Sequence, residues 1–238
     1  MAGPEDRLLA EIYAHTEEAY PRECCGLVVS ENGFFRIVRA ENTASDTYRE
    51  FQVGVKTWAL YHSRTVAIYH SHNSNCALPS EHDEEGCYRS QKPYLIVAWP
   101  SGEIRPLNLP TDRDMKLGTP FLYGLHDCFD MVRRYFKAKE GISLPEVTRP
   151  RFGWWNDPDN HVILETARSM GFKEVEPVEP MKIGDVAVMR TIGGLTPNHL
   201  GVITEGNHML HQSLLRISSE VEYNDYYRQM TTQVLRYD

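Results

Sequence analysis

The chain has 238 residues, enough for one large domain or two compact ones of about 100–120 residues. Hydrophobic residues at 41% and charged residues at 24% describe a globular protein with enough apolar material for a core. The net charge is −8, with 15 acidic against 10 basic side chains in residues 1–110 and 18 against 15 in 111–238, so neither half carries a nucleic-acid footprint.

No apolar run approaches the ~18 residues of a membrane span. The opening MAGPEDRLLAEIY lacks the basic flank and apolar stretch of a signal peptide, so the expectation is a soluble protein made in the cytoplasm. Five cysteines, at 24, 25, 76, 87 and 128, form no spaced framework, and two of them are adjacent. A reduced compartment is the better reading.

Residues 6–20 place Leu8, Leu9, Ile12, Tyr13, Thr16 and Ala19 at nearly helical spacing, and Pro21 closes the segment. Cys25-Gly-Leu-Val-Val and Phe34-Phe-Arg-Ile-Val predict strands joined at Asn32-Gly33, where both residues accept positive φ. Residues 55–63 read as a short helix, and Thr65-Val-Ala-Ile-Tyr-His as a buried strand ending in histidines. Ser80 to Ser90 reads as a helix with Ser80 as N-cap; strands follow at 94–99 and 104–109. This is a small α/β unit.

From Pro106 to Pro120 the text turns polar and Pro/Gly-punctuated, which sets a boundary between domains 1–112 and 113–238. Beyond it the spacing predicts a helix at 127–139 with Phe129, Val132 and Phe136 on its apolar face. A second helix at 161–170 is stopped by Gly171. Strands follow at 186–189, 199–204 and 209–213, the last two turned by Glu205-Gly-Asn. Helices first and a strand meander afterwards predict an α+β domain.

Residues 70–83 read His-Ser-His-Asn-Ser-Asn-Cys-Ala-Leu-Pro-Ser-Glu-His-Asp. Histidines two apart on a strand project from one face, so His70 and His72 can reach a single metal. Asp83, in the first turn of the next helix, can add a third ligand and leave a fourth position open, as in catalytic zinc sites. Zinc is the cofactor this set implies, since it polarises a carbonyl and lowers the pKa of bound water towards ~7. A base and an oxyanion donor are still needed, and Glu23 and Ser80 are the candidates. His82 and Cys76 stand in the same window as rival ligands, and a His-rich surface loop without chemistry is the alternative. Cys24 and Cys25 read as small buried residues.

The second constellation is Asp127-Cys128 at the start of a helix, where unpaired N–H groups and the dipole favour a thiolate. A nucleophilic cysteine needs a base and an orienter. His199, in Asn198-His-Leu-Gly-Val, and His211, in Met209-Leu-His-Gln, can supply them, with His208 a rival to His211. The alternative is a buried, inert cysteine.

These residues carry two resemblances. H-x-H, seven residues, then S-x-x-D, with the upstream Glu of Pro21-Arg-Glu-Cys-Cys-Gly-Leu, resembles the JAMM signature of the catalytic MPN family over about 1–110. That resemblance implies a cytidine-deaminase-like sheet-and-helix fold with one zinc held by His70, His72 and Asp83. It makes Glu23 the general acid/base, Ser80 the stabiliser of a tetrahedral intermediate, and a peptide or isopeptide bond the target.

Asp127-Cys128, Gly184-Asp-Val, Asn198-His-Leu-Gly-Val and apolar-His211-Gln together resemble an NlpC-type cysteine peptidase of the papain-like superfamily over about 118–215. The implication is thiol hydrolysis of cell-wall (peptidoglycan) stem peptides by Cys128, His199 and His211. Phe129-Asp130 replaces the usual Ser-Gly, and Phe121 takes the position that normally gives a tyrosine hydroxyl.

The two domains in this order and length resemble the tail tip assembly proteins of lambda-like tailed phages. That implies other tail tip proteins as partners and a place in the host cytoplasm during assembly or at the virion tail tip. Two other readings stand beside it: an assembly module whose peptidase folds bind rather than cut, and a cellular bacterial hydrolase.

Overall fold

The computed structural model of the chain describes residues 4–108, 117–176, 181–191, 193–214 and 216–237. The boundary expected at 112/113 lies outside them. The chain forms two compact units. Among the described residues the first holds 4–108 together with 123–125 and 146–152, and the second holds 117–122, 126–145 and the remainder from 153.

In the first unit, helix α1 (Pro4–Ala19) buries Leu9, Ile12 and Thr16, three positions of the stripe its spacing predicts. Strands β1 (Cys25–Glu31) and β2 (Phe34–Ala40) pair antiparallel, and Glu31↔Phe34 closes on Asn32 and Gly33 with φ of 51° and 81°. Those left-handed values are what the Asn-Gly turn allows. Helix α2 (Val55–Tyr61) leads into β3 (Thr65–His72), which runs antiparallel to β1. Helix α3 (Glu81–Ser90) then carries the chain to β4 (Tyr94–Ala98), parallel to β3, and β5 (Ile104–Leu107) pairs with β4.

The sheet order is β2-β1-β3-β4-β5. β4 is buried throughout and β3 nearly so, which is why their sequences read as continuous apolar runs rather than alternating ones. Leu27, Val29, Ile68 and Ile96 form one face of the core, each worth about 1.5–3 kcal/mol on burial. Two segments from beyond the expected boundary complete the unit. Ile104 and Arg149 exchange backbone hydrogen bonds of 3.0 and 2.7 Å, and the Tyr123 hydroxyl donates to the Pro150 carbonyl at 2.9 Å. The Arg151 guanidinium lies over the rings of Tyr13 and Trp99, at 5.1 and 5.3 Å.

The second unit opens with α4 (Cys128–Tyr135), N-capped by the Asp127 carboxylate, which accepts from Asp130 N at 3.0 Å. The helix expected to reach 139 ends at Tyr135 and continues as a π-helical turn, Phe136–Glu140, before Gly141. Helix α5 (Val162–Ser169) is followed by Gly171 at φ 96°, the stop its sequence predicts.

The sheet contains β6 (Phe172–Val175), β7 (Val186–Met189), β8 (His199–Thr204), β9 (His208–His211), β10 (Ser219–Glu222) and β11 (Thr231–Tyr237). Helix α6 (Asp225–Met230) precedes β11, and the order is β10-β9-β8-β7-β11-β6. Sequence reading finds β7, β8 and β9 but not β6, β10, α6 or β11. The last strand of the chain thus enters the interior of the sheet, between β7 and β6. Asp185, buried just ahead of β7, forms a two-point ion pair with Arg236 of β11 at 2.7 and 2.8 Å. The Gly184-Asp-Val opener is therefore a structural tie.

Candidate functional site

The first centre lies where β3 and α3 meet. Alternation along β3 sends the side chains of His70 and His72 to one face, and their Nε2 atoms stand 3.2 Å apart. Ser80 caps α3: its hydroxyl accepts from Asp83 N at 3.2 Å, and the Asp83 carboxylate accepts from Ser80 N at 2.8 Å. This reciprocal cap aims Asp83 back at the strand. Asp83 Oδ1 lies 2.9 Å from His70 Nε2, and Oδ2 lies 3.2 Å from His72 Nε2. The Ser80 hydroxyl also donates to Asp83 Oδ2 at 2.7 Å, so it is already engaged with the carboxylate.

Among the described residues, His70, His72 and Asp83 are the one group of three or more His, Cys, Asp or Glu side chains able to converge on a metal ion. The fit to zinc can be tested on spacing. Bonds of 2.0–2.1 Å at tetrahedral angles put ligand atoms about 3.3 Å apart. The three separations of 2.9, 3.2 and 3.2 Å are of that size. Chemistry agrees. His72 Nδ1 stands 3.3 Å from the Cys76 carbonyl, an acceptor only, so a neutral ring bound to a cation would carry its proton on Nδ1 and offer Nε2 as the ligand. Two imidazole nitrogens and a carboxylate converging so closely require a cation or a shared proton.

Electrostatics prepares the group for a cation. Burial acts to raise Asp83, but the bonds from His70 and His72 outweigh it and hold the carboxyl well below its usual range. Burial lowers His70, overriding Asp83. On His72 burial pulls downward too, yet the Asp83 bond and charge, with Glu23, give a net rise. Glu23 is buried ahead of β1, its N–H donating to Thr47 and its carbonyl accepting from Asn42. Burial pushes its carboxyl up to about 7, with His72 opposing and Asp83 assisting.

The rival ligands stand apart from this cluster. Cys76 is exposed and contributes its carbonyl, while His82 lines a cavity beside α3. Cys24 and Cys25 are buried, as their sequence context suggests, and burial pushes the Cys25 thiol up to about 12.

The second centre lies in the other unit. The register Gly201↔His211 sets His199 diagonally across from His211 on the paired strand, and His199 Nε2 reaches His211 Nδ1 at 3.1 Å. Both rings are buried. Cys128 sits at the N-terminus of α4, which packs against β8 and β9, the strands that carry the two histidines. Cys128 is buried, only 8% of the residue being exposed. Burial lowers His199 to about 3, helped by His211, and lowers His211 to about 4, helped by Arg216. His208 is exposed and turned to the Gly206 carbonyl, away from this pair.

Sequence reading misses the supporting residues. Phe51 stacks on His70, Ser213 Oγ lies 3.1 Å from His211 Nδ1, and Tyr227 meets His211 edge-on. Ser213 was findable, being two residues beyond His211 on the same face. Of the departures around Cys128, Asp130 is buried and paired with Arg134 at 2.6 Å. Phe121 is buried, and the nearby Tyr123 hydroxyl is spent on Pro150.

Fold and motif-bearing segments together define a chain that joins a JAB module to an NlpC/P60 module. Residues 5–112 match the prokaryotic homologs of the JAB domain, and residues 118–236 match the NlpC/P60 family. Tail tip assembly protein K of Escherichia phage N15 is 32% identical over 230 residues, 95% of this chain and 92% of that protein. The chain belongs to the tail tip assembly protein K family.

Solved structures similar to part of the chain include a JAB1/MPN domain protein from Archaeoglobus fulgidus, at 21% identity and TM-score 0.31, covering 42% of this chain and 83% of that one. A protein from Desulfitobacterium hafniense shows 22% identity and TM-score 0.33, covering 43% and 81%. Among the described residues no helix is long and apolar enough to cross a membrane.

Proposed function

We propose that this protein is a two-centre peptide hydrolase acting in phage tail tip assembly and in local digestion of the cell wall as the genome enters. The observation that carries the reading is the convergence of His70, His72 and Asp83 at tetrahedral-edge spacing.

In the first centre these three side chains would hold one zinc ion. Bound there, zinc supplies Lewis-acid polarisation of the scissile carbonyl of a peptide or isopeptide bond. Glu23 takes the proton of the attacking water and returns it to the leaving amine, work suited to a carboxyl raised by burial. Ser80 orients Asp83, and its hydroxyl turns from that carboxylate to donate to the oxyanion.

In the second centre Cys128 attacks the carbonyl of a peptidoglycan stem peptide. His199 accepts the thiol proton and delivers it to the leaving amine, and water then releases the acyl group. His211 orients His199 through the 3.1 Å contact. Depressed pKa values keep both imidazoles neutral at rest, so His199 is free to accept a proton as attack proceeds.

Other tail tip proteins are the expected partners, with the protein present in the host cytoplasm during assembly and carried at the virion tail tip. The family relation to protein K of phage N15 supports the setting. Zinc content of the purified full chain, measured beside peptidoglycan digestion by wild type and Cys128→Ala, tests the proposal. About one zinc per chain and digestion lost in Cys128→Ala are expected. A chain without metal that digests nothing makes it an assembly module with peptidase folds.

A further inference from the structure

The two candidate metal-binding histidines are held by different means. His72 is oriented by a hydrogen bond, its Nδ1 at 3.3 Å from the Cys76 carbonyl. His70 has no such bond: it is wholly buried, and its Nδ1 finds no partner among the described residues. A metal-binding histidine ordinarily donates its second nitrogen to an acceptor that fixes the ring. Packing replaces that acceptor here. The Phe51 ring lies stacked on His70, with centroids 4.1 Å apart and planes 17° from parallel. Tyr94 meets the imidazole edge-on at 5.7 Å and 77°, and meets Phe51 at 5.4 Å.

We propose that Phe51 is a positioning residue for the metal site, holding the His70 ring so that Nε2 faces His72 and Asp83. This rests on the zinc reading above. An imidazole turns about a broad, roughly two-fold torsion, so an unbonded ring needs a wall to keep its nitrogen aimed. Phe51 is that wall. It borders a cavity of about 540 Å³ that is also lined by Trp58, His82, Arg89 and Tyr94. Shortening the side chain leaves space into which His70 can tilt.

The test uses the full chain with zinc, and with cobalt as a spectroscopic substitute, in Phe51→Leu, Phe51→Tyr and Trp58→Ala. Phe51→Leu keeps apolar bulk without a stacking plane. It should weaken zinc binding about tenfold in chelator competition, the usual cost of losing a residue that orients a ligand. The visible cobalt bands should shift as well. Phe51→Tyr restores the plane and should restore both readouts. Trp58→Ala, on the same cavity but with no ring contact to His70 among the described residues, should leave them unchanged. Wild-type affinity and bands in Phe51→Leu would overturn the proposal, as would an equal loss in Trp58→Ala, which marks general loosening around the cavity. A wild-type chain that binds neither metal overturns the zinc reading itself, a result separate from either of these.

Discussion

Lowering the pH from 7 to 5 should destabilise the second unit through its buried histidine pair. The folded pKa values are depressed to about 3 for His199 and about 4 for His211, against an unfolded value near 6.5. Below pH 6.5 the unfolded chain therefore binds protons that the folded one refuses, and stability falls with pH. The loss starts near 6.5 and continues until the folded values are reached. At pH 5 each histidine lies about 1.5 units below its unfolded pKa, which costs about 2 kcal/mol, or about 4 for the pair. That is a large part of the ~5–15 kcal/mol of an ordinary domain.

Tryptophan fluorescence would mix the units, since Trp58 and Trp99 lie in the first and Trp154 and Trp155 in the second. Hydrogen exchange of peptides spanning β8 and β9, read across a urea series at both pH values, isolates the effect. Carboxylates contribute to any acid transition, so the decisive quantity is a difference. His211→Gln should remove about half of the pH 7-to-5 loss, whereas His208→Gln, at the exposed end of β9, should not. Identical pH dependence in wild type and His211→Gln would refute the reasoning, as would NMR titration of either buried ring near 6.5.

Five further outcomes are expected. The His70→Ala/His72→Ala double variant should lose bound zinc, measured by elemental analysis, while Glu23→Gln keeps the metal and loses hydrolysis. In a Cys76→Ser background a limiting alkylating reagent should label Cys128 before Cys24, Cys25 or Cys87, and His199→Ala should slow that labelling. The background is needed because Cys76 is exposed and Cys128 is not, so access alone would favour the wrong thiol. Asp185→Ala should lower stability in urea denaturation by about 2 kcal/mol, since it removes a buried carboxylate that accepts from Arg236 and from the Lys182 N–H. A fragment ending at 112 should melt below the full chain's first unit, because it lacks the segment that hydrogen-bonds both backbone groups of Ile104.

That last expectation marks what local sequence could not show. Helix α1, the Asn32-Gly33 hairpin, the histidine strand and the Ser80 cap are legible because each is a local pattern of period, turn chemistry or capping. Residues 146–152 carry no such pattern, and their place in the first unit is set by contacts with Ile104, Tyr13 and Trp99, far away in the chain. β6 and β10 are short and half exposed, so alternation has little length over which to appear. β11 was within reach: Thr231-Thr-Gln-Val-Leu-Arg-Tyr is rich in β-branched and aromatic residues.

The two candidate centres differ for the same reason. The candidate metal group is compact in sequence, with His70, His72 and Asp83 inside fourteen residues, so strand alternation plus one cap already determine that they meet. The thiol group spans Cys128 to His211, and no local rule joins a helix start to a strand pair so far downstream. Only the register Gly201↔His211 makes His199 and His211 neighbours, and only tertiary packing makes both rings dry. Dryness is the property sequence could not supply. It depresses both histidines, so that neither is a ready cation. At the metal group support is likewise tertiary, because Phe51 reaches His70 from a loop outside the motif. Motifs therefore name the atoms that would react, while the residues that aim them come from elsewhere in the fold.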